Sequence, residues 1–142
     1  MIVEGLNDEY FKIISEALRL AAVFIHSIRP DGGKAAGPGV GDIASKLFQG
    51  SFAKLQQTDI DQEVKQASIS ATCHIISQTH DLLPSDQVSK SLLILKDRLS
   101  NEVTRNSTLK GLTIIANSAK PVAIKNEVQN LIPELNSLLK KN

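Results

Sequence analysis

The chain has 142 residues, 42% of them hydrophobic, and its 16 basic and 15 acidic residues leave a net charge of +1. This length and composition are typical of one globular domain with a sizeable core, and the balanced charge disfavours nucleic acid or an anionic membrane as a partner. The lack of tryptophan and the aromatic content of 4% also argue against a surface that stacks nucleic-acid bases.

The cysteine content and the absence of targeting signals are consistent with a reducing compartment. Cys73 is the single cysteine, so an internal disulfide is excluded. The first residues lack a basic segment followed by an apolar run, so no signal peptide is expected. The most apolar run, residues 20–25, is too short to cross a bilayer.

Hydrophobic periodicity, capping residues and proline positions predict six helices. The fourth is expected to be capped by Ser85, and the glycine-rich stretch from Asp31 to Gly41 is expected to be a flexible surface loop. The approximate bounds of the helices are 7–28, 42–57, 62–79, 85–99, 102–116 and 125–140.

The stretch from Asp59 to Ala67 indicates how these helices are organised. It reads as a tight turn and a helix start, and a variant returns 39 residues later, where Glu102 and Val103 replace Glu63 and Val64. Such a self-match is typical of two-helix repeats of the HEAT or armadillo kind. The prediction is an all-α solenoid (an α-α superhelix) of about six helices over residues 1–142, with two complete repeats flanked by half-repeats.

The half-repeats predict that the chain is a segment of a longer solenoid, because neither end resembles the polar capping repeat that a solenoid needs for solubility. Both end helices then have apolar faces that neighbouring repeats normally cover. The isolated chain is therefore expected to self-associate.

The glycine-rich stretch does not match a phosphate-binding loop. A Walker loop needs serine or threonine directly after Gly-Lys, and here Ala35 follows Gly33 and Lys34. No strand is predicted before the glycines, as a dinucleotide site requires. An enzyme that binds nucleotide through this loop is kept as a distant alternative.

The Cys73, His74 and His80 group is a poor metal site. Cys73 and His74 are adjacent and point about 100° apart on a helix, and His80 is six residues from His74 rather than three or four. Cys73 also lies among apolar residues that disfavour a thiolate nucleophile, and solvent contact suffices to explain His26. No catalytic residue, cofactor or metal site is predicted.

Lys65 and Arg105 occupy the second turns of successive helices, which allows two interpretations. They could form a ladder of ion pairs with the aspartate-rich turns, locking neighbouring repeats together, or a basic row that meets an acidic partner. The ladder is favoured.

The chain resembles the middle of the cullin-associated, neddylation-dissociated proteins, the all-HEAT exchange factors of cullin–RING ubiquitin ligases. The resemblance spans nearly the whole chain and departs in the glycine-rich stretch and around residues 121–124. The matching stretches include Tyr10-Phe11-Lys12-Ile13, Ser15-Glu16-Ala17-Leu18, Ile28-Arg29-Pro30, residues 58–65, Asp97-Arg98-Leu99 and Asn101-Glu102-Val103-Thr104-Arg105.

This resemblance implies a non-enzymatic scaffold of the cytoplasm and nucleus. The family wraps an unneddylated cullin with its RING subunit, blocks the neddylation lysine and promotes exchange of substrate receptors. The alternative is a HEAT adaptor for another cargo, of the transport-receptor or phosphatase-scaffold type. As a hypothesis, the faces of the inner helices supply the partner contacts, through Gln62, Lys65, Gln66, Glu102 and Arg105.

Overall fold

The computed structural model describes residues 1–120 and 125–140. Within these residues it contains seven α-helices and no strand. The helices are α1 (Ile2–Leu6), α2 (Phe11–Ile28), α3 (Val40–Gln56), α4 (Gln62–Thr79), α5 (Ser85–Leu99), α6 (Glu102–Ala116) and α7 (Lys125–Lys140). A short 3-10 helix, His80–Leu82, follows α4.

The helices form two layers. Helices α2, α4 and α6 pack side by side in one layer, and α1, α3, α5 and α7 follow one another in the second. Helices that are consecutive in the chain pair across the layers as α1–α2, α3–α4 and α5–α6. The α3–α4 and α5–α6 pairs are the two complete repeats that the sequence predicted, so the all-α repeat fold is confirmed.

Side chains close the turns that precede α4 and α6. The carboxylate of Asp61 accepts a hydrogen bond from the backbone N–H of Glu63 at 2.8 Å, and the side chain of Asn101 accepts one from Val103 at 2.9 Å. Both bonds satisfy amide groups that the first turn of a helix leaves without a partner. They fix where α4 and α6 begin.

The N-terminal region differs from the prediction. A helix over 7–28 was expected; instead α2 begins at Phe11, and residues 7–10 form the turn after the additional helix α1. Five residues are too few for a helix to be stable alone, so α1 depends on burying Leu6, which is 1% exposed. Helix α1 packs on α2 and α3 in the place of the half-repeat thought to be missing.

The predicted cap of the fourth helix was also wrong. Pro84 occupies the cap position of α5, Ser85 is the first helical residue, and no side chain caps this end. Proline can hold the extended geometry of a cap, so the chain enters α5 without a serine hydroxyl bond.

The core lies between the two layers. Its largest fully buried side chain is Phe48 of α3, and the same cluster includes Ile75 and Ile76 of α4 and Leu92 and Leu95 of α5. A second cluster joins α1, α2 and the start of α4, around Leu18 and Val64. No helix in the described ranges is both long and apolar enough to cross a membrane.

Candidate protein-interaction surface

The five residues predicted to contact a partner lie at the N-terminal ends of α4 and α6. We call this surface the α4–α6 edge; it comprises Gln62, Lys65, Gln66, Glu102 and Arg105. Gln62 and Glu102 are exposed, and the other three are half-buried. The two helix starts are held together because the Gln66 side-chain amide donates a hydrogen bond to the carbonyl of Val103 at 3.2 Å. The structure thus brings these residues onto one surface.

Arg105 does not form the ion-pair ladder that the sequence favoured. Its guanidinium donates from Nε to the carbonyl oxygen of Leu99 at 3.0 Å and from Nη2 to that of Ser100 at 3.4 Å. These carbonyls lie at the C-terminal end of α5, where an arginine satisfies acceptors that the helix leaves free. Arg105 therefore stabilises the α5–α6 turn, and the ladder interpretation was wrong for it.

Lys65 likewise makes no ion pair with any carboxylate in the described part of the chain. The ion pair that joins α2 to α4 is instead Arg19 with Glu63, at 2.6 Å, with both side chains partly exposed. Arg19 also pairs with Glu16 on its own helix. The ammonium of Lys65 is thus one of the charges on the α4–α6 edge that can meet a partner.

Arg29 forms the main polar cluster, which lies at the C-terminal ends of α2 and α4. Its guanidinium donates to Asp81 at 2.6 and 2.9 Å, to the carbonyl of Gln78 at 2.8 Å and to the carbonyl of Lys34 at 2.7 Å. Lys120, after α6, also donates to Asp81 at 2.8 Å. The hydrogen bond from Arg29 lowers the pKa of the Asp81 carboxyl far below its usual range, and that from Lys120 lowers it further. The sequence analysis did not predict this cluster.

The glycine-rich stretch is held by this cluster through the Lys34 carbonyl. It runs from the end of helix α2 to the start of helix α3, where Gly39 adopts a positive φ of 77°. A phosphate-binding loop follows a strand, so the described structure does not provide that context.

Cys73 is fully buried in α4, and this burial raises the pKa of its thiol to about 12. A thiol with so high a pKa is not ionised at neutral pH, which agrees with the prediction that Cys73 is a packed residue. No cluster of three or more His, Cys, Asp or Glu residues suited to a metal ion occurs among the described residues.

Sequence reasoning missed a contact between two histidines. His26 Nε2 of α2 lies 2.9 Å from His74 Nδ1 of α4, and the two half-buried rings meet edge to face with centroids 5.0 Å apart. Burial, and secondarily the charge of His26, lowers the pKa of His74. The residues are 48 positions apart in sequence, so only the packing of α2 on α4 could reveal the pair.

A family model described as CAND1-like, TPR repeats, matches residues 1–72, just over half of the chain. The chain belongs to this family. The description names TPR rather than HEAT repeats; both are stacked pairs of antiparallel helices, and the layers described above have that form. The family resemblance seen in the sequence is therefore confirmed.

Relatives named for cullins match along the whole chain. The chain is 37% identical to cullin-associated NEDD8-dissociated protein 1 of Dictyostelium discoideum, over 99% of this chain and 11% of that protein. It is 33% identical to the protein of the same name in Drosophila melanogaster, over 100% of this chain and 12% of that protein. It is also 33% identical to cullin-associated NEDD8-dissociated protein 2 of Rattus norvegicus. The chain thus spans about a ninth of the length of these relatives.

Proposed function

We propose that this chain is part of a non-enzymatic regulator that binds an unneddylated cullin with its RING subunit and promotes the exchange of substrate receptors. The observation that carries the proposal is the match of the whole chain to relatives named as cullin-associated proteins. The fold supports it, because a two-layer helical solenoid offers extended surfaces for gripping another protein. The single, buried, free cysteine fits work in the cytoplasm and nucleus.

The α4–α6 edge is the surface that we propose contacts the cullin. Lys65 and Glu102 lie on it, and neither is paired with an oppositely charged group in the described part of the chain. Exposed Val103, at 45%, lies beside them. An edge of mixed charge with an apolar residue fits a polar protein surface better than a nucleic acid or a membrane.

Reversing both free charges of the edge tests this proposal. The double variant Lys65→Glu, Glu102→Lys is made in the full-length natural protein that contains this chain. It is expected to bind an unneddylated cullin–RING complex about tenfold more weakly, because charge mismatch at an interface costs about 1 kcal/mol or more. Surface plasmon resonance measures the change. Arg105 is left intact because its loss would damage the α5–α6 turn.

The matched control is Asp42→Lys with Lys46→Glu on α3, which exchanges the partners of an exposed ion pair and leaves the net charge unchanged. It is expected to bind the cullin normally.

Normal binding by the Lys65→Glu, Glu102→Lys variant would show that the edge is not the contact. If the unaltered protein does not bind a cullin at all, the adaptor for another cargo, of the transport-receptor or phosphatase-scaffold type, takes the place of this function.

The absence of catalysis is tested separately with nucleotides. A ligand that binds the native state must raise its unfolding temperature. We expect ATP and GTP, with and without Mg²⁺, to leave that temperature unchanged in a thermal-shift assay. A rise with either nucleotide would favour the enzyme alternative.

We also propose that the isolated chain self-associates through α2. Ile13, Leu20 and Val23 form one stripe on this helix and are 45%, 45% and 65% exposed. The buried residues of α2, such as Leu18 and Ala21, lie on another face of the helix, so the stripe is free for a neighbouring helix to pack on. A second copy offers the same stripe, and a two-fold pair of α2 helices buries both.

Light scattering tests this self-association. At high concentration the unaltered chain is expected to show a mass above that of the monomer, and Leu20→Glu with Val23→Glu is expected to return it to the monomer, because burying unpaired carboxylates is costly. The control is Leu93→Glu, at an exposed leucine of α5 that is outside the α2 stripe. This variant is expected to self-associate normally. A monomeric unaltered chain would contradict the proposal.

A further inference from the structure

The contact between α2 and α4 includes two imidazoles whose nitrogens face each other, and neither the fold nor the proposed function uses them. We propose that His26 and His74 form a two-histidine site for a divalent transition-metal ion of the Zn²⁺, Ni²⁺ and Cu²⁺ group, which ties α2 to α4. The site is independent of the α4–α6 edge and of cullin binding.

The distance between the nitrogens is close to what an ion requires. Zn–N bonds of 2.0–2.1 Å in a tetrahedral site place two ligand nitrogens about 3.3 Å apart. His26 Nε2 and His74 Nδ1 are 2.9 Å apart, so they need to separate by only about 0.4 Å, which a small side-chain rotation supplies. The half-buried side chains leave access to solvent, from which an ion can enter and water can complete the coordination.

The hydrogen-bonding chemistry also fits a metal ligand pair. A direct contact between two imidazole nitrogens needs one N–H donor and one lone pair, so at least one of the rings is neutral. When an ion binds, the shared proton moves to the other nitrogen of its own ring or to solvent, and both facing nitrogens then present lone pairs. Neutral imidazole is a good ligand for Zn²⁺, Cu²⁺ and Ni²⁺, whereas Mg²⁺ and Ca²⁺ prefer oxygen.

Among the described residues no third His, Cys, Asp or Glu joins the pair, so the site has two protein ligands. Cys73 adjoins His74 in sequence but faces α6, where its Sγ lies against Gly111. Of the charged groups on and beside these helices, Arg29 and Asp81 pair with each other and Arg19 pairs with Glu63. We therefore expect one ion per chain and an affinity below that of a four-ligand structural site.

Thermal unfolding of the chain with added salts tests the proposal. An ion that binds only the folded pair must stabilise it, so saturating ZnCl₂ or NiCl₂ is expected to raise the unfolding temperature by about 5 °C, and MgCl₂ is expected to have no effect. Isothermal titration with NiCl₂ is expected to give one ion per chain. No rise with either transition metal would overturn the proposal.

The chain offers a matched control, because it contains three histidines. His26→Gln and His74→Gln are each expected to abolish the rise, whereas His80→Gln is expected to keep it, since the His80 ring is hydrogen-bonded to the backbone carbonyl of Ile76 and not to the histidine pair. A rise that survives either of the first two changes, or that His80→Gln also removes, would contradict the assignment.

A second measurement does not depend on the variants folding. In NMR spectra of the unaltered chain, ZnCl₂ is expected to shift the imidazole signals of His26 and His74 together at one equivalent and to leave that of His80 in place. Equal shifts of all three would indicate adventitious binding only and overturn the proposal.

Discussion

Arg29→Met is expected to destabilise the fold by about 3 kcal/mol, as breaking a buried ion pair does. Arg29 is 3% exposed, and its removal leaves the carbonyls of Gln78 and Lys34 without the Arg29 donor and leaves the Asp81 carboxylate with Lys120 alone. Methionine fills much of the volume, so the loss reports the polar contacts rather than a cavity. Urea denaturation followed by circular dichroism measures the change.

The control is Lys46→Met, which removes one partner of an ion pair whose side chains are 60% and 69% exposed. Exposed pairs contribute little, so its stability should stay within about 0.5 kcal/mol of the unaltered chain. Equal, small effects of the two changes would show that the Arg29 cluster does not hold α2, α4 and the glycine-rich stretch together.

The same cluster gives the unaltered chain a dependence on acid. Hydrogen bonding to Arg29 lowers the pKa of Asp81 in the folded state. Its contribution is therefore fully present above the unfolded carboxyl's pKa of about 4 and is lost as pH falls below that value. Between pH 5 and 2, roughly the window of that loss, the unaltered chain should lose more stability than Arg29→Met. Parallel pH profiles would contradict the role given to this ion pair.

Gly111→Val is expected to be the second large loss, also about 3 kcal/mol, because overpacking a tight contact forces side chains and backbone to shift. A Cβ at Gly111 would lie 2.5 Å from Sγ and 3.2 Å from Cβ of Cys73, which places α6 against α4 at this point. Glycine is unfavourable inside a helix, so its presence here reflects the closeness of the two helices rather than local preference. Urea denaturation again measures the loss.

Gly41→Ala in the first turn of α3 is the matched control, since a Cβ there meets nothing within 4 Å. It is expected to be neutral or to stabilise by up to about 1 kcal/mol. Combining Gly111→Val with Cys73→Ala, which removes the sulfur nearest to the new side chain, should reduce the loss of stability. A full loss in the Cys73→Ala background would show that the contact with Cys73 is not its cause.

Much of the fold could be read from local signals. The stretch from Asp59 to Ala67 predicted a turn and a helix start, and Asp61 caps α4 there, as Asn101 caps α6. The return of Glu-Val after a fixed interval predicted the two helix pairs, because each pair must present its apolar faces at the same positions. The same residues carried the family resemblance that the comparisons confirmed.

The candidate surfaces were less predictable. The sequence placed Lys65 and Arg105 in the second turns of successive helices, but it could not tell that Arg105 turns back to the carbonyls at the end of α5. Helix periodicity gives the face on which a side chain lies and leaves its partner undetermined when several acceptors are within reach. Arg105 was therefore assigned to a ladder that the structure does not contain.

The sequence by itself determined the helical repeat, its pairs of helices and the family. The helices follow from interactions between residues a few positions apart, and the repeat and the family follow from similarity between stretches of sequence. Only the tertiary structure decided that the five-residue helix α1 forms, that Arg29 meets Asp81 across 52 positions and that His26 meets His74 across 48. Such contacts are favourable only once neighbouring helices have packed. Bringing distant residues together costs conformational entropy, and the burial of apolar side chains between the helices offsets that cost.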